Sequence, residues 1–578
     1  MKIRIVLPLL LAFGALACTS VRPPIGQRRD IPARRGGIMR LANYADVRSL
    51  EPAQSFDVVA GAVEQLLYDR LVDYDRDGQV VPLLAERIDT SQDGRRVSFP
   101  LHRGVLFHDG QELTAEDVKR SIERALDHDT PCPAATFYQS IAGFTAFHDG
   151  KKDASGTLVY APHLDGVVAD GRYLVHIDLR EPDATFLPAL TLFFLAPVCR
   201  SAGFKYAPGW HTHACGTGPF RLEQWQPSRQ IDLVRHEGYF QAGKPYLDRV
   251  RFYMLMPALT QRFKFEEGDL DHIRDFSFTD SLAYRRDPRW RRFGQWEPAK
   301  TVISTFMNTQ MKPFDDVEFR RAFAAGIDWN QVALLRPEEL VPTTQMLPPA
   351  VPGFDPSFPG QKYDPAAALE HMKNAGYPYD PATGKGGYPG PLRYVANADS
   401  LPSDALGPLI AQQLSRIGIR LEMRSVSWPT FLAETGQPKT AALGYGGWIM
   451  DFPDPSDFFE PTLSTEAIQG EETRNVAFYS NPEFDRLLKE AHSELDPVQR
   501  AAMYRRCEEI IRDDAPWAIG LNQRFYELVQ PYVHGYAVDK THTRDVREVW
   551  IDEDQRGHAA RFLPSARALA LIRPWGAR

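Results

Sequence analysis

The chain has 578 residues, of which 43% are hydrophobic and 25% are charged, so it has ordinary globular composition and is long enough for two or more domains. The formal net charge is −8 and the sequence pI is about 6.0, which gives no basic surface of the kind that would argue for nucleic-acid binding. The 46 prolines are spread along the chain, and this predicts long ordered loops rather than a disordered tract.

The N-terminus differs from the rest of the chain. Two basic residues precede an apolar run from Ile5 to Ala17, which is too short to span a bilayer and is typical of a secretory signal. Cys18 directly follows a small residue, so this position resembles the lipidated cysteine of bacterial lipoproteins. We therefore expect residues 1–18 to form a signal peptide with a lipid anchor on Cys18 and residues 19–35 to form a polar linker. A plain signal peptide with an incidental cysteine is the alternative.

Four cysteines follow the signal, and in a secreted protein they permit three pairings. They are Cys132, Cys199, Cys215 and Cys507. Cys199 and Cys215 enclose a modest loop and are the first candidates for a disulfide, but the sequence leaves the pairing open. The chain contains no CxxC motif, so neither a redox motif nor a zinc ribbon is supported.

Strand and turn signals dominate the first part of the chain. Three hairpins are predicted where an Asp-Gly dipeptide lies between alternating strands: Asp77-Gly78, Asp93-Gly94 and Asp170-Gly171. A helix is predicted from Thr114 to about Leu126, with Asp117 placed to complete a capping box. Helices are also predicted over 61–71 and, from its apolar character, over 182–195.

Strands and helices alternate from residue 301 to residue 529. The order of a strand at 392–396, a helix at 405–417 and a strand at 419–426 predicts a parallel unit. Two consecutive helices are predicted near 481–512, followed by a closing strand region. The basic pair Arg320-Arg321 is interpreted as part of a solvated face.

The segment from Gly444 to Pro455, GYGGWIMDFPDP, suggests a binding pocket. It begins as the end of a buried strand and finishes in a turn fixed by two prolines. Asp451 follows Trp448 by three residues. A carboxylate pairs with an ammonium group, and an indole supplies apolar area and a π-face, so the pattern suits a primary amine beside an apolar group. The alternative is a strand end with a solvated aspartate and a core tryptophan.

Motifs for common catalytic chemistry are absent from the sequence. There is no GxxxxGK[ST] phosphate loop, no GxGxxG after a strand, no HExxH and no GxSxG elbow. His211, His213 and Cys215 could ligate a metal, but a surface histidine pair before a disulfide cysteine is the favoured interpretation. His108 is interpreted as a turn residue rather than a general base. We therefore predict no catalytic residue, no metal and no cofactor, and set aside the alternative of a secreted hydrolase.

Nine segments in order resemble the large extracellular solute-binding proteins of bacterial ABC importers, family 5, which include oligopeptide-, dipeptide- and nickel-binding proteins. The resemblance covers about Gly36 to Tyr536. The segments are LVDYDRDGQVVPLLAERI at Leu71, DGRRVSFPLHRGVLFHDGQELTAEDV at Asp93, GTGPFRLEQW at Gly216, PYLDRVRF at Pro245, GDLD at Gly268, NTQMKPFDDVEFRRAFAAGID at Asn308, YDPAAALEHMKNAGY at Tyr363, GWIMDFPDP at Gly447 and YSNPEFDRLLKEA at Tyr479.

The resemblance implies an α/β, bilobed, periplasmic-binding-protein-like fold, of type II and the large three-region variety. The hinge between the lobes would lie at the crossovers near Thr301 and Ile519. Lobe I would comprise 36–84, 200–300 and 519–560, with a subdomain inserted at 85–199. Lobe II would comprise 301–518, and 561–578 would be a tail.

The resemblance also implies a binding site. Asp451 would hold the α-ammonium of a peptide, while Trp448 and Tyr445 would line the pocket. The backbone of Gly447 and Ile449 would pair with an extended peptide as a strand does, which is blind to side chains. The segment AALGY before the tryptophan carries no basic residue for the peptide carboxylate, in contrast to some oligopeptide-binding members.

The implied function is that of a lipid-anchored receptor of the cell envelope, facing outward into the periplasm. It would be a monomer that delivers peptides or other amine-bearing solutes to an ABC permease and its ATPase, with no nucleic-acid partner. Two alternatives share the fold: a receptor for nickel chelates or another non-peptide solute, and a peptide-binding chaperone or signalling receptor without a transporter.

Overall fold

The computed structural model describes residues 30–54, 58–203, 205–207, 209–398, 401–468, 473–538, 541 and 545–556, together with positions 21 and 24. The predicted signal peptide, Cys18, part of the linker and the tail 561–578 lie outside the described residues. Within the described ranges, no helix combines the length and the apolar character that crossing a bilayer requires.

The first part of the chain forms short strands and three helices. In order they are β1 (Ile38–Ala42), α1 (Val58–Leu67), β2 (Val72–Tyr74), β3 (Val80–Pro82), β4 (Asp89–Thr90), β5 (Arg96–Pro100), α2 (Ala115–Leu126), β6 (Lys151–Lys152), β7 (Leu158–Val159), β8 (Val167–Ala169), β9 (Leu174–Asp178) and α3 (Phe186–Ala189). The three predicted hairpins are confirmed as β2–β3, β4–β5 and β8–β9.

Helix α2 packs on the four-stranded sheet β4-β5-β9-β8. Its capping box is confirmed, since the carboxylate of Asp117 accepts the backbone N–H of Thr114 at 3.0 Å. The prediction of a helix over the whole of 182–195 is wrong. Pro188 lacks an N–H donor and Leu192 is extended, so this apolar run contains only α3 and a short 3₁₀ turn.

The next part contributes a second four-stranded sheet, β1-β12-β11-β10, in which β1 runs parallel to β12. Its elements are β10 (Phe220–Gln226), β11 (Gln230–Arg235), β12 (Arg249–Tyr253), α4 (Ala258–Glu266), β13 (His272–Ile273), α5 (Phe278–Arg286), α6 (Pro288–Arg291) and β14 (Gly294–Trp296). Just before β10, the disulfide between Cys199 and Cys215 is confirmed, with the two Cα atoms 5.5 Å apart. Cys132 and Cys507 carry free thiols.

A six-stranded sheet, β16-β22-β15-β21-β19-β20, organises the third part. Its elements are β15 (Thr301–Met307), α7 (Val317–Ala325), α8 (Trp329–Ala333), β16 (Leu340–Pro342), α9 (Pro365–Asn374), β17 (Tyr379–Asp380), β18 (Lys385–Gly386), β19 (Pro391–Asn397), α10 (Leu401–Ser415), β20 (Arg420–Val426), α11 (Trp428–Thr435), β21 (Leu443–Ile449), α12 (Ser456–Leu463), α13 (Pro482–Ser493), α14 (Pro497–Asp514) and β22 (Trp517–Gln523). The predicted parallel unit is confirmed, because β19 and β20 pair in parallel around α10.

Arg320 departs from the sequence interpretation. It is only 7% exposed, and its guanidinium donates to the backbone carbonyls of Asp514 and Phe314, each at 2.8 Å. Asp514 is the last residue of α14, whose terminal carbonyls have no partner within the helix and attract a cation. The interpretation of a fully solvated basic pair is therefore wrong for Arg320.

The chain returns to the first region after β22. It forms β23 (Tyr526–Val529), β24 (Val533–His534) and β25 (Trp550–Ile551), and β23 pairs with both β13 and β14. The chain therefore crosses between the two regions twice, from β14 to β15 and from β22 to β23. Ile519 itself lies within β22, and the lobe boundaries given above stay a prediction.

Candidate ligand-binding site

A cavity of about 720 Å³ lies beside the strand that carries the predicted site. One wall comes from α1 and residues 191–194, and the other comes from β21, α11 and residues 473–476. All five predicted residues line it: Tyr445, Gly447, Trp448, Ile449 and Asp451. The structure therefore brings the predicted residues together at one cavity.

Strand β21 is paired unequally on its two edges. It pairs with β15 along its whole length, from Thr301 opposite Ile449 to Met307 opposite Leu443. On the other edge, β19 pairs with it only at Leu443 and Gly444. Beyond that point, no described strand pairs with the stretch from Gly447 to Ile449 on the edge away from β15.

The pairing of β21 with β15 determines which backbone groups of β21 point to its other, unpaired edge. The N–H of Met450 donates to the carbonyl of Lys300 at 2.8 Å, and the register with β15 shows no shift. Residues of an antiparallel pair alternate between those bonded to the partner strand and those whose N–H and C=O point away. Gly447 and Ile449 fall in the second set, so their backbone groups point away from β15.

The small residues of β21 are required by close packing. A Cβ atom on Gly444 would lie 2.7 Å from the carbonyl oxygen of Val395, and one on Gly446 would lie 2.9 Å from Oγ of Ser304. Both distances are shorter than ordinary contacts. Glycine at these positions lets the strand lie close to its neighbours and leaves Trp448 and Asp451 at the edge of the cavity.

Asp451 forms a pair with a second carboxyl group, Asp457, in the first turn of α12. The backbone N–H of Asp451 donates to Oδ2 of Asp457 at 2.9 Å, and Asp457 is only 2% exposed. Oδ2 of Asp451 and Oδ1 of Asp457 are buried and accept no hydrogen bond from any described residue. Asp451 lines the cavity, whereas Asp457 lies behind it, beside the indole of Trp448. A carboxylate oxygen that lines a cavity without a donor is positioned to receive an N–H group of a ligand cation.

Burial changes the acidity of both carboxyl groups. It raises the pKa of Asp451 to about 7, against the opposing effects of the contact with Asp457 and the charge of Arg474. Burial, and then the charge of Asp451, raise the pKa of Asp457 well above its ordinary range. The pair therefore retains a proton near neutral pH.

Asp454, between these two residues in the chain, has a different environment. Both its carboxylate oxygens accept from Arg500 of α14, at 2.6 and 2.7 Å. The backbone N–H of Ser456 also donates to it at 2.9 Å. This carboxylate is neutralised within the protein and holds the loop onto α14.

Several cavity residues were missed from the sequence. Arg474 lines the same wall as Asp451, and Glu64, Arg70 and Asp73 lie on the opposite wall. Arg70 and Asp73 form an ion pair with each other. The two polar residues in the mostly apolar α1, Glu64 and Gln65, were a usable signal for Glu64, whereas nothing local marked Arg474.

The histidines considered for metal binding or catalysis lie elsewhere. His108 is held by backbone, with Nδ1 accepting from Gly216 at 3.3 Å and Nε2 3.1 Å from the carbonyl of Gly218. Burial and then the neighbouring His236 lower the pKa of His108 to about 3. His213 is exposed, and the side chain of His211 lies outside the described parts. The described groups with metal-ligand spacing, at Asp109 and at Asp127, include no cavity residue.

Comparison with known proteins agrees with this architecture. Heme-binding protein A of Haemophilus influenzae is 27% identical over 492 residues, which cover 82% of this chain and 85% of that protein. The periplasmic oligopeptide-binding protein OppA of Escherichia coli is 25% identical over 522 residues, which cover 87% of this chain and 91% of that protein.

A solved structure shares the fold. The periplasmic binding protein DppA from Helicobacter pylori, in complex with the peptide STSA, matches with a TM-score of 0.72 at 24% identity, covering 90% of this chain and 99% of that one. The fold is therefore the bilobed one of periplasmic binding proteins, as the sequence predicts.

The family itself is shown by a match to bacterial extracellular solute-binding proteins, family 5 (middle region), over residues 79–470. Members of this family are extracellular or periplasmic and bind solutes for ABC importers; they are transport proteins rather than enzymes. The chain belongs to the family 5 bacterial extracellular solute-binding proteins.

Proposed function

We propose that this protein captures peptides through their α-ammonium group, which Asp451 holds with the support of Asp457, and delivers them to an ABC permease. The observation that carries the proposal is the pair of carboxyl groups in which half-buried Asp451 lines the cavity and buried Asp457 lies behind it. Within the described chain, no Lys, Arg or His side chain lies within ion-pair distance of either group, and Arg474 acts on Asp451 only through its charge at longer range. A ligand cation would supply the missing partner.

The unpaired edge of β21 supports an extended peptide over a compact solute. The backbone groups of Gly447 and Ile449 point away from β15 on the edge that lines the cavity. An extended peptide added there would exchange main-chain hydrogen bonds with the strand, and these bonds do not depend on the peptide's side chains. The cationic end would then lie near Asp451, two residues beyond the end of β21.

The aromatic residues of the cavity supply apolar area. Trp448 lies beside the carboxyl pair and Tyr445 lines the cavity further back along β21. Trp428 and Phe431 of α11 line the same wall and stack with their ring centroids 5.5 Å apart. Aromatic faces favour apolar side chains and also the nearby ammonium group. We expect a preference for peptides with an apolar residue near the N-terminus.

Attachment to a membrane through a lipid on Cys18 is part of the same proposal. The sequence around Cys18 supports this attachment. Cys18 itself lies outside the described residues. A receptor held close to its permease would need only a short diffusion to deliver cargo.

A non-peptide solute is the second candidate. The similarity to a protein named for heme binding favours it, since the same scaffold is then associated with a ligand that has no α-ammonium. The two candidates differ in whether the carboxyl pair is needed for binding.

Calorimetry with peptides that differ only at their ends distinguishes a peptide ligand from a non-peptide ligand. Trialanine should bind, whereas N-acetyl-trialanine should bind more weakly by about 1.5–3 kcal/mol, the value of a hydrogen bond to a charged group. Trialanine amide serves as the control, because it keeps the ammonium and loses only the carboxylate. Equal affinity for the free and acetylated peptides, or native mass spectrometry that finds a co-purified ligand without an amine, would contradict the proposal.

A further inference from the structure

A basic ridge stands on the surface formed by α5 and α6. It consists of four exposed arginines within seven residues: Arg286, Arg289, Arg291 and Arg292. Arg289 is bound to Asp287, with Nε 2.9 and 3.0 Å from the two carboxylate oxygens. No described acidic side chain lies within ion-pair distance of the other three. The ridge is therefore strongly positive on a chain whose net charge is −8.

The ridge is held in place by a buried aromatic core. Trp290, between the arginines in sequence, is 0% exposed and packs on Phe265 and Tyr284, with ring centroids 5.0 and 5.5 Å away. Asp287 caps α6 by accepting the backbone N–H of Arg289 at 2.9 Å. Since Trp290 points inward, the neighbouring arginines are directed to solvent, where they remain available to a partner.

Val21, which follows the predicted signal peptide, lies against this ridge. Val21 is 6% exposed and packs into the same apolar cluster as Tyr284, Trp290 and Phe293. It also lines a surface hollow together with Arg286 and Arg289. Cys18 is three residues before Val21, and three residues of extended chain span at most about 11 Å. A lipid on Cys18 would therefore be attached close to the ridge.

The linker adds charge of the same sign. Between residues 19 and 35 it carries five arginines and a single acidic residue, Asp30. Polybasic segments beside a membrane anchor are attracted to anionic lipid headgroups within about one Debye length, roughly 8–10 Å at physiological salt. Val21, which shares its hollow with Arg286 and Arg289, can be no more than about 11 Å from the attachment point.

We propose that the basic ridge faces the anionic lipid headgroups of the membrane that holds Cys18, and that this contact fixes the orientation of the receptor on the bilayer. The inference rests on the lipid anchor of the proposed function. A lipid surface is favoured over an acidic protein because any partner of the ridge must lie next to the point where the acyl chains enter the bilayer.

Co-sedimentation with vesicles tests whether the ridge binds a membrane in a protein that lacks the lipid anchor. The protein is the mature chain with Cys18→Ser, and the vesicles are phosphatidylcholine with and without phosphatidylglycerol. We expect binding only to vesicles that contain phosphatidylglycerol, weakening as salt is added. The triple variant Arg286→Gln/Arg291→Gln/Arg292→Gln should bind about 100-fold more weakly, since each arginine near an anionic surface contributes about fivefold.

The control is a triple variant with the same change of charge on the six-stranded-sheet region, Arg393→Gln/Arg416→Gln/Arg420→Gln, at three exposed arginines. It should bind as the parent does. Equal binding to both kinds of vesicle, or equal loss in the two triple variants, would overturn the proposal, as would binding to the isolated permease with none to vesicles. Mass spectrometry of Cys18 tests the anchor separately, and peptide calorimetry on the ridge variant tests the ligand site separately.

Discussion

The segment from Asp451 to Asp457, which joins β21 to the first turn of α12, carries two kinds of carboxylate. Asp454 is bound on both oxygens by Arg500, whereas Asp451 and Asp457 contact each other and the indole of Trp448 and are within ion-pair distance of no described basic side chain, Arg474 acting on Asp451 at longer range. A buried acid that has its cation within the protein ties elements together, but a buried acid without one raises the free energy of the folded state. The first kind indicates a structural residue and the second indicates a site that awaits a ligand. Five predictions break or sharpen this comparison.

Arg500→Ala should have the largest effect, and the effect should be on stability. It leaves Asp454 buried without its cation, so we expect the free energy of unfolding to fall by about 3–5 kcal/mol in urea titrations at pH 7. Arg506→Ala is the control on the same helix. Its exposed ion pairs with Glu483 and Glu509 should contribute no more than about 1 kcal/mol. Similar losses in the two variants would show that Asp454 is not a structural acid.

Asp451→Asn should change ligand affinity instead. The affinity for a peptide with a free amine should fall by about 1.5–3 kcal/mol, which is about 10- to 150-fold, because a charged hydrogen bond is lost. The unfolding free energy should not fall, since a buried carboxyl without a cation is removed. Glu483→Gln, an exposed carboxylate outside the cavity, is the matched control. Unchanged affinity in Asp451→Asn would remove the assignment of this site.

The affinity of the parent protein should depend on pH through the same pair. Because the pKa of Asp451 is raised to about 7, binding of an ammonium ligand should weaken about tenfold for each pH unit below 7. Above about pH 8 it should weaken again as the α-amine loses its proton. Calorimetry in buffers of different ionisation enthalpy should detect proton release on binding near pH 7. An acid limb of the same steepness in Asp451→Asn would contradict this account.

The same shift has a consequence for stability. The folded pair keeps a proton that the unfolded chain has lost above about pH 4, so the folded state binds more protons and the unfolding free energy falls as pH rises from about 4 to about 7. Asp451→Asn should flatten this decline. Urea titrations at pH 5 and pH 7 measure the difference.

The smallest expected effect, on ligand affinity, concerns another acid, Asp183. Its charge is neutralised by His492, which belongs to a different region of the chain. Nε2 of His492 in α13 lies 3.0 Å from Asp183, and Nδ1 lies 3.3 Å from Glu460. The backbone N–H of Ala184 also donates to the carbonyl of His492 at 2.8 Å. These contacts join the predicted inserted subdomain to the predicted lobe II. His492→Gln should weaken peptide binding by about 1 kcal/mol through loss of one closing contact.

The pH dependence of stability tests the ion pair that His492 forms with Asp183 and Glu460. Burial lowers the pKa of His492, but Asp183 and Glu460 outweigh it and raise that pKa to about 10. The stabilisation is therefore complete below the unfolded value of about 6.5 and is lost as pH rises through about 10. Small-angle scattering of the ligand-free variant should show a larger radius of gyration than the parent. An unchanged radius together with unchanged affinity would show that the contact does not favour the closed arrangement.

Local signals in the sequence predicted the elements that depend on neighbouring residues. The Asp-Gly hairpins, the cap of α2 and the parallel unit around α10 each follow from short patterns, and each is confirmed. Trp448 and Asp451 were found for the same reason, since they lie in one strand and the turn after it.

Features that depend on distant contacts were not predicted. Arg320 is buried because the end of α14 comes to it from nearly two hundred residues away. Arg474 and Glu64 reach the cavity from separate segments. Asp457 is only six residues from Asp451, but its role depends on the turn that brings α12 back toward β21. Nothing in the local pattern distinguishes it from an ordinary acid in the first turn of a helix.

The two passages of the chain between regions run side by side. Trp296 pairs with Tyr526, the N–H of Glu297 donates to the carbonyl of Phe525 at 2.8 Å, and Thr301 pairs with Gln523. The strand pairing is interrupted between these pairs, because residues 297–300 and 524–525 lie outside strands and the register on the two sides of the gap differs by two residues. The crossings are therefore short irregular segments, each held between paired strands that fix its two ends. Movement of one region against the other should accordingly be concentrated in these few residues, and a change in either crossing should alter it.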